Sequence, residues 1–305
     1  MAVGTGPLAT AAQDTTTPVA QVDGTPGRPR RSGAHPLARA LGYVVLVVAA
    51  VAVLVPFFWM VTSSLKTSNT VFTVPIQWLP TDPQWGNYLD IWRQSDLTTW
   101  LRNTLLLSVL VTALQLFTGS FAAYGFAKSR FPGRNALFLA YIGTIAVPWQ
   151  AYMIPQFILM SELGLSNTLW AIILIQAFGA FGVFLMKQFY ETIPDELVEA
   201  GRIDGLSEYG IYRRIMLPLS VPALASLLLL TFVNTWNDYL GPLIYLRDRD
   251  LWTIQLGLKT FVSQYNAEYA LIMTGSVLSV LPIAVVFFLG QKYFVEGIAT
   301  SGMKG

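Results

Sequence analysis

Few side chains in this chain could carry chemistry. Cysteine is absent, and the one histidine, His35, stands in a polar N-terminal stretch. Disulfides and thiolate metal sites are therefore excluded, and histidine catalysis or a histidine metal site has no partners to work with. The six lysines are Lys66, Lys128, Lys187, Lys259, Lys292 and Lys304, and none follows a glycine. The phosphate loop G-x-x-x-x-G-K-[ST] is thus missing, and no HExxH occurs. Within the long apolar stretches the sole clear acid is Asp238. Around it, and in a second stretch, stand Trp149, Gln150, Tyr152, Asn234, Trp236 and Asn237. Aromatic faces with amides and a carboxylate suit a sugar path. The same groups also serve ordinary hydrogen bonding between helices, with an interfacial aromatic among them.

The elements that must position these residues are membrane helices. The chain is 54% hydrophobic and only 12% charged, where a soluble domain carries about 25% charged residues. Apolar stretches at 41–61, 104–126, 136–160, 168–189, 219–240 and 270–289 each approach the ~20 residues that span a bilayer. The fold expected is therefore all-α, a polytopic membrane protein with six transmembrane helices. Pro148, Pro155 and Pro282 interrupt spans, which is tolerated where neighbouring helices satisfy the freed carbonyls. Residues 1–36, rich in Gly, Ala, Thr and Pro, read as a disordered tail ahead of a membrane domain at 37–305. Alternating the loops puts thirteen of the nineteen Lys and Arg on one side, with both termini and residues 190–218. The positive-inside rule makes that side cytoplasmic.

Residues 190–218 read as a polar helix–turn–helix set between two spans. Pro194, Asp195 and Glu196 suit a first helical turn. That helix runs to about Ile203, Gly205 supplies the turn, and Ser207 caps a second helix ending at Leu217 before Pro218. Ala200 and Gly201 are small, so a partner surface could approach the first helix closely, with Glu199, Arg202 and Asp204 at its edge. An amphipathic loop lying on the bilayer surface would share these features.

The segment resembles the EAA loop of the membrane subunits of bacterial ABC importers: Glu-Ala-Ala, three residues, Gly, nine residues, Ile-x-Leu-Pro. Here it is Glu199-Ala200-Gly201, then Gly205, then Ile215-Met216-Leu217-Pro218, with both intervals kept and Gly201 replacing the second alanine. Residues 127–134, 164–168 and 189–197, Trp236-Asn237-Asp238-Tyr239, and the C-terminal stretch from Val295 also resemble the maltose-type carbohydrate importers, specifically their second, six-span permease. The resemblance implies the type I ABC importer permease fold and a non-catalytic subunit of the bacterial plasma (inner) membrane. It implies pairing with a homologous permease, two copies of a cytoplasmic ATPase that holds ATP and Mg, and an external binding protein that delivers the sugar. This chain itself would bind no cofactor and no nucleic acid.

In that family the loop is the coupling helix, which places Glu199, Ala200, Gly201, Asp204, Gly205, Ile215, Leu217 and Pro218 against the ATPase. The C-terminus can also insert between the ATPase subunits, which singles out Gly297, Lys304 and Gly305. Importers of glycerol phosphate or another small polar solute are the neighbouring alternative. A stand-alone secondary carrier is a third reading, and the scarcity of ionisable groups within the spans speaks against it.

Overall fold

The computed structural model describes residues 36–262 and 268–301, and among them there are helices and turns but no strand. The tail expected at 1–36 falls outside them apart from Pro36. The helices are α1 (Pro36–Ser64), α2 (Asn87–Gln94), α3 (Leu97–Lys128), α4 (Arg134–Gly143), α5 (Met153–Glu162), α6 (Leu169–Gln176) and α7 (Ala180–Glu191). They continue as α8 (Asp195–Ile203), α9 (Glu208–Ile211), α10 (Leu217–Leu219), α11 (Val221–Trp236), α12 (Leu240–Tyr245), α13 (Ile254–Leu258) and α14 (Tyr269–Ser301). Two compact units divide within α1. The first ends at Ala52, and its described part is helix with exposed apolar side chains along it; the second, from Val53, holds the remainder.

In the second unit α3 is the central post. α7 and α11 pack along it, and α14 packs on α11. At 32 residues α3 is about 48 Å long, more than the ~30 Å of hydrocarbon, so its ends reach beyond the apolar layer. One end closes a cluster of Ile91, Leu97, Trp100, Ile254 and Leu271. The other carries Ala123 and Tyr124 into a cluster with Met186, Tyr190, Ile211, Tyr212, Met216 and Leu227. A third cluster, around Leu107, Val111, Ile172, Ile173 and Tyr245, lies on α3 between them.

The all-helical class is as expected, but the six stretches are not six plain helices. Four described helical stretches are long and apolar enough to cross a membrane, at 39–64, 97–128, 169–191 (α6 with α7) and 269–292. Val221–Trp236 joins Glu208–Leu219 at a bend of 80°, and only the pair taken together reaches the length of a fifth candidate span. The third expected span, 136–160, is two ten-residue helices, α4 and α5, separated by 3-10 turns at Thr144–Ala146 and Trp149–Ala151. Pro148 has no N–H to continue a helix, and Val147 before it is extended at φ −85°, ψ 114°. Pro155 lies in the first turn of α5, where no intrahelical donor is missed.

The fourth span also breaks, between Gln176 and Ala180, with Gly179 in an extended conformation. Its freed carbonyls are satisfied from α3. Gln115 Nε2 donates to Gln176 O at 2.6 Å, and Thr118 Oγ1 donates to Ala177 O at 2.7 Å. This is the compensation that a break inside an apolar layer requires. A Cβ on Gly179 would come within 2.9 Å of Gln115 Oε1, so the small residue leaves room for its own cap.

Candidate functional site

Among the described residues, two regions gather the polar side chains that the sequence singled out: the hairpin 195–219, and a cavity beside the breaks in the third and fourth spans and the C-terminal end of α11.

The hairpin follows from its local chemistry. α8 begins after Pro194, with Asp195 and Glu196 in its first turn. Gly205 turns the chain at φ +78°, a left-handed conformation that side chains resist. Ser207 Oγ then accepts from Gly210 N at 3.2 Å, capping α9. The expected stop at Leu217 is not observed, because the helix widens to a π turn over Tyr212–Met216 and continues to Leu219. Leu217 N–H bonds to Tyr212 O, five residues back, and Pro218 follows in the first turn of α10. There its missing donor costs little.

Three contacts tie the hairpin to the end of α3. Tyr124 OH donates to Glu208 Oε2 at 2.6 Å, and Arg202 Nε donates to the other oxygen at 2.8 Å. Lys128, its side chain only 4% exposed, pairs with Asp195 and donates to Ile193 O. Ser120 Oγ and Tyr212 OH share a hydrogen bond of 2.8 Å.

The bonds from Arg202 and then Tyr124 hold the Glu208 carboxyl below its ordinary pKa, against the opposing effect of burial. Lys128 does the same for Asp195, by its hydrogen bond and then its charge. A depressed carboxylate pKa contributes stability that is full above the unfolded value, about 4.3 for Glu and 3.9 for Asp. The contribution fades as pH falls through the lower folded value. Amide exchange across 195–217, corrected for intrinsic rate, should be flat from pH 8 to 5 and accelerate below about pH 4. Both carboxylates are largely exposed, so the effect is modest. Loosening already between pH 8 and 6 would contradict this account.

The candidate docking residues divide between two faces. Glu199, Ala200, Asp204, Gly205 and Pro218 are exposed. Ile215 and Leu217 are half-buried against the core at this end. Gly201 departs from expectation. It is buried, and a Cβ there would meet Ile215 Cδ1 at 2.9 Å and Ile211 Cγ1 at 3.1 Å. Its smallness serves the packing of the hairpin on itself rather than the approach of a partner. The residue that spacing did not single out is Ile203, 87% exposed at the end of α8. It shares a face with Glu199 and Ala200, opposite buried Val198 and Gly201. A β-branched apolar residue beside the turn was the available signal.

The cavity, about 740 Å³, is lined by Trp149 and Tyr152 from the break in the third span, Gln176 and Gly179 from the fourth, and Asn234, Asn237 and Asp238 from the fifth. Gln115, Thr231, Thr235, Phe181, Tyr239 and Tyr245 complete much of the wall. Five of the seven sequence candidates therefore meet here. Gln150 is exposed and outside the lining. Trp236 is also outside it: its ring is 1% exposed, and Nε1 donates to Ser279 O at 3.1 Å, so it fastens α11 to α14. Asp238 Oδ2 accepts from Gln176 Nε2 at 2.7 Å, and its Oδ1 accepts from Gly241 N at 3.0 Å. Thr231 and Thr235 donate to the carbonyl oxygens of Gln115 and Gln176, each at 3.2 Å. At the C-terminus, Gly297 lies in the last turns of α14, while Lys304 and Gly305 lie outside the described residues.

Residues 36–300 match the family described as binding-protein-dependent transport system inner membrane component. The chain is 38% identical over 220 residues to the arabinooligosaccharides transport system permease protein AraQ of Halalkalibacterium halodurans, covering 72% of this chain and 79% of that one. It is 34% identical over 259 residues to the lactose transport system permease protein LacG of Rhizobium radiobacter, covering 85% and 94%. A crystal structure of a bacterial ABC transporter involved in the import of the acidic polysaccharide alginate contains a chain of the same fold. The TM-score is 0.75 at 26% identity, with 88% of this chain and 100% of that chain covered. Broken spans around a polar cavity and a hairpin that keeps the EAA spacing are thus found in a chain that belongs to the inner membrane component family of binding-protein-dependent transport systems, the multi-pass permeases of ABC importers.

Proposed function

We propose that this chain pairs with a homologous permease to form the translocation path for an oligosaccharide, delivered by an extracytoplasmic binding protein and driven by two copies of a cytoplasmic ATPase. ATP and Mg reside on that ATPase, and this chain is non-catalytic. Both termini and the hairpin face the cytoplasm, the side given most of the Lys and Arg by the sequence. Residues 194–218 seat in a cleft of one ATPase subunit, and residues 297–305 reach between the two. The relatives named for arabinooligosaccharides and lactose support a sugar as cargo.

The observation that carries the reading is the hairpin itself. It presents an almost fully exposed isoleucine while its base is locked to α3 through Glu208–Tyr124 and Asp195–Lys128. A docking element must expose an apolar contact and be stiff enough to pass on a displacement. ATP binding then closes the ATPase dimer and turns the permeases outward, and hydrolysis returns them. Each state is selected by the contacts its ligand makes there and not in the other.

The test is uptake by the reconstituted transporter with its ATPase and binding protein. Glu199→Lys and Gly205→Val should each leave the chain inserted but cut sugar uptake per ATP hydrolysed by at least about tenfold, the equivalent of ~1.4 kcal/mol at the docking face. Normal uptake in both variants would overturn the docking role. Ion-driven uptake by vesicles containing this chain alone would overturn the whole reading in favour of a secondary carrier.

A further inference from the structure

The cavity's polar groups are not equivalent. Gln115 spends its amide on the break in the fourth span, giving its N–H to Gln176 O and accepting from Thr231. Gln176 is likewise committed at both ends, to Asp238 and Thr235. Asn237 donates to Val233 O at 3.0 Å. Asn234, exposed on the cavity wall, makes no side-chain hydrogen bond among the described residues. Asp238 uses one acceptor position on each oxygen, and a carboxylate has about four. Asn234 and Asp238 therefore both hold uncommitted hydrogen-bonding capacity, four residues apart, on a wall that also carries the ring of Trp149 and the hydroxyls of Tyr152 and Tyr239.

The charge of the wall is equally uneven. Asp238 is its one ionisable acid, and no Lys, Arg or His lines it. An anionic ligand would lie beside a carboxylate, partly stripped of water and with no counter-charge from this chain. A sugar hydroxyl has the opposite character, since it donates to Asp238 while accepting from the Asn234 amide. A volume near 740 Å³ is within the range of small-molecule sites.

We infer that Asn234 and Asp238 are the specificity-determining pair of this cavity, admitting an uncharged glycan and rejecting a uronic or phosphorylated one. The inference rests on the proposed import of an oligosaccharide and adds the cargo's charge class. The alginate transporter that shares the fold takes an acidic cargo, so the fold alone does not decide this class.

The experiment uses the purified complex of both permeases and the ATPase in nanodiscs, without the binding protein. Calorimetry compares a neutral probe, arabinotriose, with an acidic one, trigalacturonate. The wild-type complex should bind arabinotriose at least tenfold more tightly. Asn234→Ala and Asp238→Asn should each weaken arabinotriose binding by about ten- to a hundredfold, as expected for hydrogen bonds to a desolvated or charged group. Asp238→Lys should shift the ratio of the two affinities toward trigalacturonate by at least tenfold. A folding defect lowers both affinities together and cannot move that ratio. Equal binding of the two probes by wild type, no binding of arabinotriose, or an unmoved ratio in Asp238→Lys would overturn the inference. Failure of the proposed function reads out separately, as absence of ATP-driven uptake of any oligosaccharide by the full system with its binding protein.

Discussion

Ile203→Asp is expected to abolish ATP-driven uptake and to weaken ATPase binding at least thirtyfold, with the chain still inserted and folded. Burying an isoleucine side chain contributes about 1.5–3 kcal/mol, and about 2 kcal/mol corresponds to a thirtyfold change in affinity. The aspartate adds a second penalty, since its charge must be stripped of water wherever the isoleucine was buried against a partner. Its cost to the isolated hairpin is small because the side chain is 87% exposed, and such surface changes usually stay within about 0.5 kcal/mol. Titrating immobilised permease with the purified ATPase measures the effect. An affinity within threefold of wild type would mean that the ATPase grips another face.

Gly201→Leu should have the second largest effect, by a different route. A Cβ alone already comes within 2.9 Å of Ile215 Cδ1, and the next contact, Ile211 Cγ1, belongs to a side chain with no exposure. The further atoms of leucine have nowhere to go without parting α8 from α9, and overpacking of this kind costs about 1–3 kcal/mol. Gly201→Ala is the informative companion. Its one methyl asks that the tip of Ile215 yield and that Ile211 Cγ1 give by a few tenths of an ångström, and it gains back up to about 1 kcal/mol of helix propensity. Proteolysis within 195–217 should therefore accelerate strongly in the leucine variant and stay near wild type, or slow, in the alanine variant. If both variants are cleaved at the wild-type rate, Gly201 is not a packing position.

The sequence yielded the hairpin's limits because each is local chemistry: Pro194 at a helix start, Gly205 at a left-handed turn, Ser207 at a cap. The direction Gly201 faces was not legible, because it depends on which residues of the second helix fold back onto the first. The apolar stretches announced their membrane character and little more. A helix apolar on all sides carries no periodic signal for the face that meets protein, so Trp236 could not be told from the cavity-facing residues beside it. The same limit hid the broken third span, where Pro148 gave a hint but not the pair of 3-10 turns. Gln115 is the clearest case. It is a lone amide in an apolar helix, and its role appears only when the break it caps lies alongside, 61 residues further along the chain.

The bend at Ser220 has a mechanical consequence. The helix Glu208–Leu219 meets Val221–Trp236 at 80°, so the two form a crank: a short arm at one end and a shaft that carries Asn234 at the other. The arm's twelve residues give it a length of about 18 Å. A sideways push of one helical pitch, ~5.4 Å, at its tip would part the Glu208–Tyr124 and Tyr212–Ser120 hydrogen bonds to α3 and corresponds to roughly 17° of shaft rotation. Side-chain tips about 6 Å from the shaft axis would then travel close to 2 Å. That is more than the slack in the hydrogen bond from Gln176 to Asp238. Spin labels on Tyr209 and Asn234, read with and without ATP, would register such a turn as a change in distance; an unchanged distribution would rule it out. In a crank the arm's direction decides what the shaft does, so a sideways thrust at the hairpin would reach Asn234 as torque rather than as a pull along the helix.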